Sequence, residues 1–451
     1  MPVNPLQQEH ERYARVESVR LGGAPVEVEW MPYGVGAAAQ VEPTSPDAAA
    51  APSSTTSPTS STSPTSPTAP TAPTAPASPP TSIEPPEIVA GYGLLELEYA
   101  AFRRGAAVID MAHRGTIAVR GADRVDFLNR MVTQELKDMA GGDVRAGFWL
   151  NRKGRIEADL LFVHVPDVDG TPPLTLVDVD IHDAARTVAS LQAFLFAEDV
   201  QITDESALWG RLAVHGPEGA ALLSNAGVED AALEILNHDA RCVSCTLAGA
   251  AAVLARRDQC GSPGVEIFLP REAIGRAWDA LVSQHDVQEI GRRRARPAGW
   301  HAYNIARIEA GTPLHHVDFG PDNLPHETGM LNARTSFKKG CYPGQEVVAR
   351  MESLGKPKQR LVALRMTEDA LPTSGSPVFE RGADGEPGNP VGAVTSSTLA
   401  PMLGAASVAF AMVRTAHTEP GTVLLVPAEG GRATATVQAG LRFLPERTEA
   451  T

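Results

Sequence analysis

The chain has 451 residues, 43% of them hydrophobic and 21% charged, close to the globular average and long enough for two or three domains with real cores. Lys and Arg number 39 against 54 Asp and Glu, and the formal net charge of -15 argues against a general nucleic-acid coat or a polybasic membrane binder. Four cysteines in so long a chain exclude a small disulfide scaffold, and no apolar run approaches the ~20 residues of a spanning helix. The opening, MPVNPLQQEHERYARVE, has no apolar core and carries charges of both signs. No signal peptide is expected, and a reducing cytoplasm is the expected compartment.

In residues 19–35, Val26, Val28 and Trp30 alternate with Glu27 and Glu29, which predicts a strand. Residues 42–86 are almost wholly Pro, Ser, Thr and Ala, with no charged or aromatic side chain between 48 and 83. Such a stretch cannot bury enough apolar surface to offset its ordering entropy, so a disordered insertion of polyproline style is expected. Residues 92–107 show helical spacing through Leu94, Leu95, Leu97, Tyr99 and Phe102. Residues 116–119 predict a strand and 123–131 a helix. Residues 148–150 and 156–165 predict paired strands about the turn Asn151-Arg152-Lys153-Gly154. A helix follows at 183–194, a strand at 211–215, and a helix opened by Gly216-Pro217-Glu218. A strand at 266–269, a helix at 273–282 and a helix at 300–309, closed by Gly311 and Pro313, complete this part. Past Lys356 the apolar runs at 361–364, 377–379, 391–395 and 422–426 are short and split by Gly/Pro turns. They predict a small all-β domain, a barrel, with its boundary at 354–358.

The densest chemical stretch is Phe337-Lys338-Lys339-Gly340-Cys341-Tyr342-Pro343-Gly344-Gln345-Glu346. Its cysteine follows two lysines and precedes a predicted helix, features that favour a thiolate. Gly340 and Gly344 permit close backbone approach or positive φ, and Gln345 and Glu346 fall in the first helical turn. The bland alternative is a small buried thiol in a tight turn.

The run from Lys339 to Glu346 resembles the signature of the YgfZ family, folate-binding proteins linked to tRNA modification and iron–sulfur cluster assembly or repair. Arg307-Ile308-Glu309-Ala310-Gly311, Leu324-Pro325-His326-Glu327 and Val347-Val348-Ala349-Arg350-Met351 are similar to its flanks. Asp110-Met111-Ala112-His113-Arg114-Gly115 and Phe127-Leu128-Asn129 resemble the wider aminomethyltransferase superfamily. The resemblance implies an α+β fold, a three-module cloverleaf ring around a central folate channel, with a C-terminal β-barrel. It divides the chain into folate-binding modules at 1–41 and 87–355, the insertion at 42–86, a barrel at 356–445 and a tail at 446–451. It also implies tetrahydrofolate as cofactor, with no stably bound metal. Cys341 becomes the reactive group, a transient iron or cluster ligand, supported by Lys339, Gly340, Tyr342, Gly344, Gln345 and Glu346. Asp159, Trp149, Glu266 and Arg307 become folate-binding candidates. Partners implied are folate and Fe–S assembly proteins or client enzymes, with neither nucleic acid nor membrane.

Departures from the superfamily matter. Aminomethyltransferases end the hairpin at 154–160 in paired aspartates, one of them important for catalysis, whereas this chain reads Glu157-Ala158-Asp159. The resemblance places the family's pterin-contacting glutamate within residues 258–266, at about Ser262, and matches Glu266 to another family glutamate. The leading expectation is therefore a folate-binding accessory factor for Fe–S clusters and tRNA modification. The alternatives are a folate-dependent aminomethyl- or methyltransferase, and a noncatalytic scaffold that recruits partners through the Pro-rich insertion.

Three further groups weigh toward structural roles. Cys242-Val243-Ser244-Cys245 has no second C-x-x-C and precedes a hairpin turn. His315-His316 with Asp318 and His326 fits no established ligand spacing and reads as hydrogen-bonding loop histidines. Arg292-Arg293-Arg294-Ala295-Arg296 reads as a solvated charge run.

Overall fold

The structure, a computed structural model, describes residues 4–20, 25–33, 87–166, 172–282 and 295–445. The insertion expected at 42–86, the tail at 446–451 and Arg292 to Arg294 of the basic run lie outside the described residues.

Three β-structures organise the mixed α+β fold. The first is a five-stranded antiparallel sheet in the order Val144–Leu150, Ile156–His164, Leu174–Asp180, Arg114–Arg120, Gln201–Asp204. The second has six strands, in the order Cys242–Leu247, Ala250–Arg256, Gly264–Pro270, Trp209–His215, Ala106–Asp110, Ala295–Pro297, with only the last pair parallel. The third is a closed barrel of Gln359–Met366, Ala406–Arg414, Pro387–Ala400, Pro377–Arg381, Val423–Ala428 and Gly431–Val437. Closure removes sheet edges that would otherwise invite pairing.

Strand alternation explains how the first sheet is covered. In Ile156–His164, Ala158, Leu160 and Phe162 pack on one face with the helices Arg124–Met131 and Ala184–Gln192. Leu161 and Val163 take the opposite face and pack with Cys242, Val253, Ala255 and Phe268 of the second sheet. A fully buried Phe or Leu contributes about 1.5–3 kcal/mol of transfer free energy, so both faces supply core. The barrel is tied to the helix Trp300–Ala310 through Arg307. Its Nη1 donates to Asp318 Oδ2 at 2.6 Å, and Asp318 Oδ1 accepts from Ser396 at 2.5 Å and Thr395 at 2.9 Å.

The N-terminal expectation needs correction. The strand is confined to Glu29–Pro32, paired with Glu87–Gly91, while Val19 belongs to the helix Gln7–Arg20. That helix carries no apolar stripe to reveal it: its buried residues are His10, Ala14 and Glu17. Tertiary polar contacts replace the stripe, because His10 Nε2 lies 3.1 Å from Asp110 Oδ2 and His10 Nδ1 lies 2.7 Å from the Tyr92 hydroxyl. The expected helix at 92–107 is shorter, Leu95–Arg104, and gives way to the buried strand Ala106–Asp110. Among the described residues no helix is long and apolar enough to cross a membrane.

Candidate functional site

The hairpin of Val144–Leu150 and Ile156–His164 places Phe148 opposite Asp159 and Trp149 opposite Ala158. Its turn is held locally: Asn151 Oδ1 accepts from the amides of Lys153 at 2.9 Å and Arg155 at 3.2 Å. The cysteine-containing loop and the helix Gln345–Leu354 dock here. Gly344 has φ +80°, and a Cβ there would lie 2.6 Å from the Asn151 carbonyl oxygen, so only glycine fits without displacement. Tyr342 packs with Phe148, Phe319 and Val348 against the hairpin.

Residue alternation separates Ala158 from Asp159, the two positions that the resemblance noted above aligned with an aspartate pair. Ala158 is fully buried on the helix-packed face. Asp159 points the other way, on the face covered by the docked loop, and its Oδ1 accepts from Arg334 Nε at 2.9 Å. Thr133 anchors that arginine's backbone, its hydroxyl donating to the Arg334 carbonyl at 2.6 Å. The Asp159 carboxylate is therefore oriented and ion-paired near the loop.

Cys341 is exposed. The neighbouring Lys339 ammonium is committed elsewhere, donating to the carbonyls of Asn129, Val132 (2.6 Å) and Gln134 (2.9 Å). Burial brings its pKa down to about 8. Lys339 thus braces the loop against the last turn of Arg124–Met131 and the segment after it. Burial pushes the thiols of Cys242 and Cys245 up to about 12 and about 11, and that of Cys260 higher. Cys242 and Cys245 are three positions apart on one strand, so their side chains leave opposite faces.

Of the other expected site residues, Trp149 lies on the helix side, its Nε1 donating to Ser190 Oγ at 3.0 Å. Arg307 serves the barrel junction already described. Glu266 belongs to a buried ionic network between the sheets. There Asp178 accepts two hydrogen bonds from Arg114, at 3.0 and 2.7 Å, and one each from Arg211 at 2.9 Å and Arg257 at 2.7 Å. Burial alone would raise the Asp178 pKa, but the three guanidiniums hold it far below the usual carboxylate range. Arg211 also donates to Glu266 Oε2 at 3.1 Å and lies over the Phe268 ring, 3.7 Å from its centroid. A cavity of about 610 Å³ borders the network through Arg114 and Arg211, with Asp110, His182, Ser206 and Trp209 among its walls.

Asp178, Arg211 and Arg257 are not legible as site residues, since single charged residues on apolar strands, or in a loop as Arg257 is, carry no spacing signal. Glu266 Oε1, Arg211 Nε and His113 Nδ1 are buried without hydrogen-bond partners. Burial first, then Arg114, lowers the His113 pKa to about 3, so it is neutral. His315 and His316 do not gather with Asp318 and His326. Asp318 is taken by Arg307, His326 Nε2 lies 3.3 Å from Glu352, and both adjacent imidazoles instead meet Asp183.

Residues 92–339 match the GCVT N-terminal domain family, and residues 359–443 match the glycine cleavage T-protein C-terminal barrel domain. The chain is 28% identical over 338 residues to the aminomethyltransferase of Bacillus subtilis (strain 168), covering 75% of this chain and 88% of that protein. It is 27% identical over 356 residues to a probable aminomethyltransferase of Natronomonas pharaonis, covering 78% and 92%. The crystal structure of glycine cleavage system aminomethyltransferase T from Bartonella henselae is similar in fold, with TM-score 0.68 and 24% identity over 80% of this chain and 92% of that one.

Proposed function

This chain belongs to the glycine-cleavage T-protein (GCVT) family, and from that premise we propose that it is a folate-dependent one-carbon transferase of the aminomethyltransferase type. One observation carries the reading. Of the family's two hairpin aspartate positions, the retained one, Asp159, lies on the face beneath the docked loop, whereas the altered position, Ala158, lies in packed core. The loss of the second carboxylate therefore does not remove the acid that faces the loop.

Tetrahydrofolate fits the residues present. A pterin edge alternates donors and acceptors: Arg211, whose Nε has no hydrogen-bond partner, lines a cavity of suitable size, and Glu266 Oε1, which meets only Arg257 at 3.6 Å, and His113 Nδ1, next in the chain to the lining residues Ala112 and Arg114, also lack hydrogen bonds. When bound, the folate supplies the nitrogen that accepts the one-carbon unit. The chain's own residues bind and orient. Arg334 fixes Asp159 so that its second oxygen is free to accept a proton or hydrogen bond from an amine. Loop docking limits water at the same face.

The test is aminomethyl transfer to tetrahydrofolate by the purified full chain. Asp159→Asn is expected to lower turnover by ~10²–10⁴-fold, the usual worth of a general acid or base. Absence of transfer by the wild type, or unchanged turnover in the variant, would overturn the reading.

A second reading is favoured by the exposure of Cys341: a YgfZ-type cytoplasmic accessory role, with the thiol meeting iron or a cluster on an Fe–S partner. One thiolate cannot hold a cluster alone, so the partner supplies the other ligands. Cys341→Ser should then abolish rescue of an Fe–S client enzyme under oxidative stress while folate binding persists. Full rescue by that variant removes this reading.

A further inference from the structure

We propose that Asp183, His315 and His316 form a binding site for one divalent transition-metal ion of the Zn²⁺ or Fe²⁺ kind. The three side chains offer ligand atoms that all lie within 4.8 Å of one another. Asp183 sits just before the helix Ala184–Gln192, and its Oδ1 is held by Arg186 Nη2 at 2.7 Å. Its Oδ2 is left to both imidazoles, with His316 Nε2 at 2.8 Å and His315 Nδ1 at 3.0 Å.

Three observations point to a ligand and not to a simple hydrogen-bonded cluster. First, His315 is only 5% exposed, and neither of its ring nitrogens has a hydrogen-bond partner. Its Nδ1 lies within contact distance of the carboxylate but lacks hydrogen-bond alignment. A buried imidazole in that state is costly, and an ion at the shared carboxylate would take up one of its two nitrogens. Second, His316 adopts φ +65°. Side chains of consecutive residues in an extended chain diverge, whereas this backbone brings the two rings to 4.0 Å between centroids, beside the same oxygen. Strained, non-glycine positive φ values concentrate where a site imposes them. Third, the donor set is chemically selective. Two imidazoles and one carboxylate suit Zn²⁺ or Fe²⁺, whereas Ca²⁺ and Mg²⁺ prefer oxygen cages.

The geometry allows occupancy. Around a tetrahedral ion with bonds of ~2.0–2.1 Å, neighbouring ligand atoms lie roughly 3.3 Å apart, so small side-chain rotations suffice. The His316 side chain is 15% exposed, which leaves one edge open for entry and for a water in the remaining position. Asp183 adjoins His182 and stands two residues before Ala185, both of which line the 610 Å³ cavity. The inference does not depend on the transfer reaction proposed above.

The test uses the full chain carrying Cys341→Ser, because the exposed thiol is a soft competitor for metal. Chelator-treated, desalted protein is titrated with Zn²⁺ by calorimetry and with Co²⁺ by visible absorption. One ion per chain is expected, with a Co²⁺ spectrum of nitrogen and oxygen ligation and no thiolate charge transfer. His316→Gly removes a ligand while suiting the positive φ, and Asp183→Asn removes the shared anion. Each should weaken binding at least tenfold, with circular dichroism confirming the fold. Absence of saturable binding in the parent, or a loss smaller than tenfold in folded His316→Gly, overturns the proposal.

Discussion

Replacing Asp178 by Asn tests whether the space between the two sheets is a dry ionic seam. The substitution keeps the shape and one acceptor but removes the charge that Arg114, Arg211 and Arg257 share at N–O distances of 2.7–3.0 Å. The side chain of Asp178 is 0% exposed and those of its partners 11%, 2% and 12%. At an effective dielectric of about 20, each contact is worth roughly 5 kcal/mol of gross attraction, most of it cancelled by desolvation. Glu266 remains to serve Arg211 at 3.1 Å and Arg257 at 3.6 Å, but Arg114 loses its anionic partner and at least one of its two hydrogen bonds to residue 178. Breaking such a buried network by removing one partner costs about 3–5 kcal/mol. The measurement is urea unfolding of the full chain near neutral pH, followed by tryptophan fluorescence and circular dichroism so that two-state behaviour is checked. Arg130→Ala, whose partner Glu198 lies at 2.7 Å but whose own side chain is 53% exposed, is the control and should change stability by under about 1 kcal/mol. A loss for Asp178→Asn no larger than that control would refute the dry seam.

Further outcomes follow from the same geometry. His113 and His215 are buried, and burial lowers their pKa values to about 3 and about 4. The unfolded chain takes up these protons first, so this stability is fully present above about pH 6.5 and drains as pH falls toward 4 and then 3, by up to about 1.4 kcal/mol per pH unit per histidine; a flat unfolding profile between pH 6.5 and 4.5 would contradict it. Ala158→Asp should place a carboxylate in the helix-side core, cost several kcal/mol in denaturant unfolding, and give no gain in aminomethyl transfer. Gly344→Ala should loosen the docked loop, because its Cβ would meet the Asn151 carbonyl at 2.6 Å; a lowered melting temperature with faster proteolysis around the loop is the readout. Iodoacetamide under native conditions should label Cys341 quickly, the half-buried Cys245 slowly because burial raises its pKa, and Cys242 and Cys260 only on unfolding, as peptide mass mapping would show.

Much of the architecture is written locally. The helix Trp300–Ala310 ends where its apolar periodicity meets Gly311, which takes φ +79°. The hairpin about Asn151 and Gly154 follows from turn residues flanked by apolar runs, and the barrel from short runs split by Gly and Pro. Each depends on spacings of 2 or 3.6 residues and on backbone preferences, which a linear string displays directly. The polar interior is different. The helix Gln7–Arg20 is ordered by contacts from His10 to Asp110 and Tyr92, about a hundred residues away. Arg114, Asp178, Arg211, Arg257 and Glu266 come from separate strands and a loop, and nothing in their neighbours announces that they converge. Asp183 meets His315 and His316 only because a helix start and a distant turn are folded together. Long-range charge pairing has no period, so the string displayed the periodic strands and helices, while packing decided the apolar-poor helix Gln7–Arg20 and which buried charges face one another.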